Sequence, residues 1–170
     1  MSIHETLAEK FLKSNFLIGD WYPEVPVGFR SVEYNNYPKV DARAVCALGS
    51  KNVFHRAIAL SYWKEARVSF KARSVWLVEI EPNLSSATLG LPIGQLLTYR
   101  VLFRRDHPQA SVVGLGIVCK GGNPFVELAC KELGMRVWKL ANCDAGALRQ
   151  HSQHSNAYTG NTPWLKTWRP

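Results

Sequence analysis

The sequence predicts a mixed α/β domain, a central sheet with helices on both of its faces. Two apolar runs of strand character, at 75–78 and 111–119, carry that prediction, together with the helical period at 92–103 between them. The first run, Val75-Trp76-Leu77-Val78, leads into two acids two residues apart, Glu79 and Glu81. Alternate residues of a strand face the same side, so both carboxylates project together from its end. Like charges held that close repel unless a cation or a proton lies between them. Pro82 ends the strand and Ser85-Ser86 begin a loop. Pro92 then opens a helix that carries Gln95 and Tyr99 one turn apart on one face.

The other elements follow in order. Residues 3–15 read as an amphipathic helix with Ile3, Leu7, Phe11 and Leu12 on its apolar side and Glu5 and Glu9 sharing another face. Ser2 suits the N-cap, and Asp20-Trp21 marks a turn. Val25, Val27 and Phe29 alternate as in a strand, which Pro23 and Pro26 push towards a sheet edge. Asn35-Asn36 and Pro38 form a turn, making a hairpin with a strand over 39–47. In that strand Val40, Ala42, Ala44 and Cys46 share one face, and Asp41, Arg43 and Val45 the other. An aspartate there needs a partner, either Arg43 or a metal ion. Phe54, Ile58 and Tyr62, four apart, suggest a helix over 52–66. In the helix at 92–103 the apolar stripe is Ile93, Leu96, Leu97 and Val101, and 104–108 is a loop. A strand at 111–119, in which Gly114 and Gly116 permit close approach, a helix at 124–133 ended by Gly134, and a strand at 135–140 complete the domain. The domain thus spans 1–140, with a basic insertion at about 50–74. The polar stretch 141–170 has no period and is expected to be loose, or to dock through Trp164 and Trp168.

At 170 residues and 46% hydrophobic, the chain can bury a core of ordinary size. It has no apolar run long enough to span a bilayer, so no membrane partner is expected. The N-terminus lacks the pattern of a signal peptide, which points to a cytoplasmic protein. Cys46, Cys119, Cys130 and Cys143 are scattered and read as small buried hydrophobes, while a zinc site with His151 and His154 is disfavoured. The net charge of +8 favours an anionic partner, most often nucleic acid. Lys51, Arg56, Lys64, Arg67, Lys71 and Arg73 stand against the single acid Glu65 and are interleaved with Phe54, Tyr62, Trp63 and Phe70. That stretch is either a solvated helix face or a surface that tracks phosphates, with Lys64, Arg67, Lys71 and Arg73 as its contacts. A homodimer is the default assembly for a chain of this size.

Asp41 on one strand and Glu79 and Glu81 on its neighbour make one acidic cluster beside a polar helix. Hydrolysing a phosphodiester at neutral pH requires charge neutralisation and an activated water, which Mg²⁺ or Mn²⁺ supplies. The expected ligands are Asp41, Glu79 and the main-chain carbonyl of Ile80, with Glu81 as a further ligand or as the base that orients water. VDARAV, WLVEIEP and GQLLTY resemble the core of the PD-(D/E)xK nuclease superfamily, in its RecB-like branch with a QxxxY helix. The resemblance covers about 5–140. It implies a restriction-endonuclease-like mixed sheet flanked by helices and a Mg²⁺- or Mn²⁺-dependent deoxyribonuclease acting in DNA processing or defence, on DNA rather than RNA. By the same resemblance Asp41 and Glu79 are metal-binding and catalytic residues, and Gln95 orients metal or substrate. Tyr99 supports the helix or contacts the substrate backbone. Glu9, or else Glu5, matches the acid of the first helix.

Three departures accompany the resemblance. Glu81 stands where a lysine is usual, although some members of the superfamily are active with Glu there; Lys39, Lys64, Lys71 and Arg100 are candidates for the missing charge. Asp41 and Glu79 are 38 residues apart, a separation that holds the basic insertion. GLPI, at 90–93, is inserted ahead of the glutamine helix. The alternatives are a catalytically inactive nucleic-acid-binding or assembly module of the same fold, and a protein-interaction domain whose acids are structural.

Overall fold

A computed structural model describes residues 3–31, 40–82, 84 and 90–140. All of them belong to the first of two units into which the chain divides, Met1–Leu140. The expected tail at 141–170, the turn at Asn35, Asn36 and Pro38, and the loop serines Ser85 and Ser86 lie outside the described residues. Helix α1 (Ile3–Lys13) precedes strands β1 (Gly19–Val27), β2 (Val40–Leu48) and β3 (Val53–Phe54). The short helix α2 (Leu60–Lys64), strand β4 (Ser74–Ile80) and the long helix α3 (Gly90–Asp106) follow. Strand β5 (Ser111–Cys119), helix α4 (Pro124–Glu132) and strand β6 (Arg136–Lys139) close the order.

One six-stranded mixed sheet runs β3-β1-β2-β4-β5-β6. β1, β2 and β4 form an antiparallel meander, β5 and β6 join it in parallel, and β3 pairs in parallel with β1. Alternation along β4 sorts its side chains onto two faces. Val75 and Leu77 join a cluster with Leu96 and Phe103 of α3, Ile117 of β5 and Val126 of α4. Val78 and Ile80 join Leu7 and Phe11 of α1, Trp21, Val118 and Trp138. Helices therefore cover both faces, α1 on one and α3 with α4 on the other. Leu77, Leu96, Phe103 and Ile117 are fully buried, so truncating any one of them to alanine would cost about 2–5 kcal/mol. Gly114 and Gly116 lie under the indoles of Trp76 and Trp138, where a Cβ would come within 2.3 Å and 2.0 Å of ring carbons. Three of the expected small buried hydrophobes are so: Cys46, Cys119 and Cys130 are free and buried, and burial pushes their thiols up to about 12, 11 and 11.

Several local expectations are corrected. Asp20 and Trp21 lie in β1 rather than in a turn, because Trp21 packs on Phe11 and Asp20 pairs with Arg73. Among the described residues Pro23 and Pro26 do lie along a margin of β1 that no strand pairs, since β3 pairs only with Asp20 and Trp21. The helix expected over 52–66 is instead β3 followed by α2: His55 donates its backbone N–H to the Trp21 carbonyl, a tertiary pairing that overrides the helical period. Alternation in β2 also breaks, as Ala42 buries in the same cluster as Val45 and Ala47. On β1 the matching break falls between Tyr22 and Val25, at Glu24, whose φ of 49° is left-handed. α3 runs three residues past its expected end, and its buried positions are Pro92, Leu96, Tyr99, Phe103 and Asp106. Its apolar stripe is thus rotated from the expected one, and Val101 is exposed. No helix among the described residues is long and apolar enough to cross a membrane.

Candidate active site

β4 carries Glu79 on the face that Val75 and Leu77 use, so the carboxylate enters the side of the sheet covered by α3. Only 5% of the residue is exposed. Glu79 accepts a hydrogen bond from the Ile80 backbone N–H, and Arg43 Nε stands 3.9 Å from its Oε1. Its other oxygen, Oε2, has no hydrogen-bond partner among the described residues. Burial pushes the Glu79 carboxyl up to about 7; Arg43 opposes the shift and the neighbouring charge of Glu81 adds to it.

Register explains why Arg43 is there. β2 and β4 pair with Ala44 opposite Val78, and one step further along stand Arg43 and Glu79. β1 and β2 pair with Pro23 opposite Ala44 and Val25 opposite Ala42, which sets Glu24 against Arg43. The guanidinium thus lies between two acids, with Nη1 3.9 Å from Glu24 Oε1. From the other side α3 contributes Gln95 and Tyr99. These five side chains, Glu24, Arg43, Glu79, Gln95 and Tyr99, line one polar cavity of about 230 Å³. Tyr99 is anchored by its ring, which is buried in the core beside Leu96 and Phe103.

Of the residues singled out in the sequence, the fold gathers Glu79, Gln95 and Tyr99. The backbone of Asp41 lies in β2 opposite Pro26, two residues from Arg43, and its side chain is outside the described residues. Glu81 continues the line of β4, donating its N–H to the Val118 carbonyl. Glu9 is not brought in: on the solvent side of α1 it pairs with Lys13 at 2.6 Å, and that ammonium holds its carboxyl below the usual range. The side chain of Glu5 is outside the described residues. Among the basic residues, Lys64 and Lys71 are exposed. Arg67 pairs with Glu65 at 2.7 Å over the Tyr62 ring. Arg73 bonds Asp20 Oδ2 at 2.8 Å and reaches the carbonyls of Ala47 and Leu48, which ties it to the end of β2.

Glu24 and Arg43 are the additions to the site. The sequence signal for Glu24 is an acid between Pro23 and Pro26, and Arg43 enters the sequence reading only as a partner for Asp41. Among the described residues no three His, Cys, Asp or Glu side chains converge as a metal site. Chemically, the residues around the cavity offer a buried carboxylate with one oxygen that has no partner among the described residues, a second carboxylate, an amide, a phenol and one cation. Comparison with protein-family models, with curated proteins and with solved structures finds no match to this chain.

Proposed function

We propose that the chain is a metal-dependent nuclease that hydrolyses DNA phosphodiester bonds, of the PD-(D/E)xK kind that its motifs resemble. The observation that carries this reading is the buried oxygen of Glu79 that has no partner among the described residues, on a residue that lines one cavity with Gln95 and Tyr99, the two helix residues that the resemblance singles out. The element order is compatible with this reading: α1, the β1–β2–β4 meander interrupted by β3 and α2, then α3 and the parallel strand β5 follow in the order that the resemblance leads one to expect.

An unsatisfied buried carboxylate oxygen invites a cation, and the donors at hand are all hard oxygens, which suits Mg²⁺ or Mn²⁺. The ion would be held by Glu79 and Asp41, and when bound it would supply charge neutralisation and a water acidic enough to give up a proton to a base and attack phosphorus as hydroxide. Gln95 orients the bound groups through its amide. Arg43 gives the positive charge for which a lysine is usual, and it meets a phosphate oxygen as the strand enters. Glu81 is the base that orients water. Glu24 holds Arg43 in place from the far side.

A second reading, a nucleic-acid-binding module without catalysis, draws on the same guanidinium: Arg43 already lies between Glu24 and Glu79 and partly neutralises them. Incubating labelled DNA with Mn²⁺, Mg²⁺ or EDTA separates the two. A nuclease cuts only with metal and stops cutting in Asp41→Ala and Glu79→Gln. A binding module cuts in neither case and binds DNA at least as tightly in those variants, which remove negative charge near the phosphates.

A further inference from the structure

A second polar cavity, of about 240 Å³, lies where the exit of β1, the turn at 69–72 and the α3–β5 turn meet. Hydrogen bonds hold these walls in place. The Arg30 N–H donates to Asp106 Oδ1 at 3.0 Å, and the Ala72 N–H donates to the Gln109 carbonyl at 2.9 Å. Within the middle turn the Lys71 N–H donates to Ser69 Oγ at 3.2 Å. Arg30 and Lys71 are the cations of the lining, and both residues are exposed. Neither makes a salt bridge among the described residues, whereas Arg67, Arg73 and Lys139 each hold a carboxylate. The acid of the lining, Asp106, is 1% exposed, and its oxygens already accept the N–H groups of Gly28, Phe29 and Arg30. His107 packs its ring on Phe70 and Phe103; burial, assisted by Arg30, holds it down at about 4 and so neutral at pH 7. The charge that the cavity offers is therefore that of its two cations.

Such a lining takes an anion. A guanidinium meets a phosphate through two parallel N–H bonds, and an ammonium adds a point charge. Helix α3 relates this cavity to the candidate active site. Gln95 and Asp106 are eleven residues apart, about three turns, so they lie on the same side of the helix, about 16 Å from each other along its axis. β1 and its exit follow that side throughout. Glu24 lines the active-site cavity with Gln95, a Cβ on Gly28 would meet Leu102 at 3.4 Å, and Arg30 bonds Asp106. A duplex covers the same distance in about five steps of 3.4 Å. We propose that this cavity is a second phosphate site for the DNA substrate, in which Arg30 and Lys71 hold a backbone phosphate about five base pairs from the one that is cut; the inference rests on the nuclease function proposed above. An acidic peptide would satisfy the same cations, but it has no phosphate to present at Glu79 further along this side of α3.

The test uses the full chain in EDTA, so that nothing is cut, and reads fluorescence anisotropy of a labelled duplex of about 20 base pairs between about 50 and 200 mM salt. Each phosphate contact contributes about 0.9 to the slope of log K against log salt. The double variant Arg30→Gln/Lys71→Gln, which gives up one phosphate, is expected to lower that slope by about 1 and to weaken binding several-fold. Both substitutions fall on exposed side chains, and thermal melting checks that the variant stays folded. Lys10→Gln, at an exposed base of α1 across the sheet, should leave the slope as it is. An unchanged slope in the double variant, with metal-dependent cleavage intact, overturns the second phosphate site and leaves the nuclease function standing. A lowered slope without cleavage in any metal supports the phosphate site and removes the nuclease function. An equal fall in Lys10→Gln would mean that overall charge alone is read, which overturns the site. Oligoglutamate that binds the parent chain as tightly as DNA and is lost in the double variant would assign the cavity to an acidic peptide. Inorganic phosphate that raises Tm of the parent chain but not of the double variant, with the DNA slope unchanged, would assign it to free phosphate. Either result overturns the proposal for a DNA strand.

Discussion

Arg43 Nε stands 3.9 Å from Glu79 Oε1, and the same guanidinium stands 3.9 Å from Glu24 Oε1. Neither separation is a hydrogen bond. Arg43 is half-exposed whereas Glu79 is buried, so its charge only partly offsets the desolvation of the carboxylate. Glu79 is thereby left at about 7, poised between its two protonation states at neutral pH.

That position makes stability depend on pH in a definite direction. In the unfolded chain Glu79 loses its proton near its ordinary value of 4.5, and in the fold near 7. Between those values only the unfolded chain is ionised, so the contribution of Glu79 to folding falls as pH rises. The loss is absent below about pH 4.5 and complete above about pH 7, where it amounts to roughly 3 kcal/mol. Glu79→Gln, a neutral side chain of the same shape, should therefore raise stability in urea melts at pH 8 and change it little at pH 4. Equal effects at the two pH values would show that Glu79 does not carry this strain.

Divalent metal should act on the same group with the opposite sign. Binding at Glu79 requires the ionised carboxylate, so it releases a proton and weakens about tenfold for each pH unit below 7. At a metal concentration near a hundred times Kd, Mn²⁺ should raise Tm by about 5–10 °C at pH 8. The rise should shrink at pH 5.5 and vanish in Glu79→Gln. A shift that survives in that variant would locate the ion elsewhere.

Removing the cation separates positioning from charge. Arg43→Met leaves Glu24 and Glu79 without it, so the carboxyl of Glu79 moves still higher and the acid limb of the pH–rate profile moves to higher pH. The loss in kcat/KM should be about 100-fold, the size expected for a positioned donor to a developing charge. Arg43→Lys keeps the charge and should restore the position of the limb, though not the full rate. An unchanged profile in Arg43→Met would mean that Arg43 only fills space.

How much of this was legible follows from which forces act locally. β5 and α4 read correctly because their patterns end at turn signals, with Gly134 at a φ of 68° after α4. Glu79, Gln95 and Tyr99 read as one group because a strand period and a helical turn are local rules. The Glu24–Arg43 opposition was not legible, since it depends on the register of the β1–β2 hairpin and on a left-handed residue at Glu24. β3 was missed for the same reason: its two residues are extended only because β1 pairs with them. Tyr99 was placed beside the apolar stripe instead of in the core, since a tyrosine ring buries as readily as a leucine.

Asp106 is the clearest feature that local rules hid. Expected in a loop, it is the last residue of α3, 1% exposed, and its carboxylate accepts the backbone N–H groups of Gly28, Phe29 and Arg30. Gly28 has a φ of 79°, so the chain leaves β1 in a left-handed turn that presents all three donors to one acid. Burial outweighs these donors and still holds the carboxyl above its ordinary range. Asp106→Ala would leave three N–H groups at the end of β1 without an acceptor, a loss of about 3 kcal/mol. Asp106→Asn retains one acceptor oxygen and should lose about half as much. Hydrogen exchange gives the sharper check: the amides of Gly28, Phe29 and Arg30 should lose protection in Asp106→Ala while those of β4 and β5 keep theirs. If the three amides exchanged no faster than in the parent chain, Asp106 would not be what fastens α3 to β1.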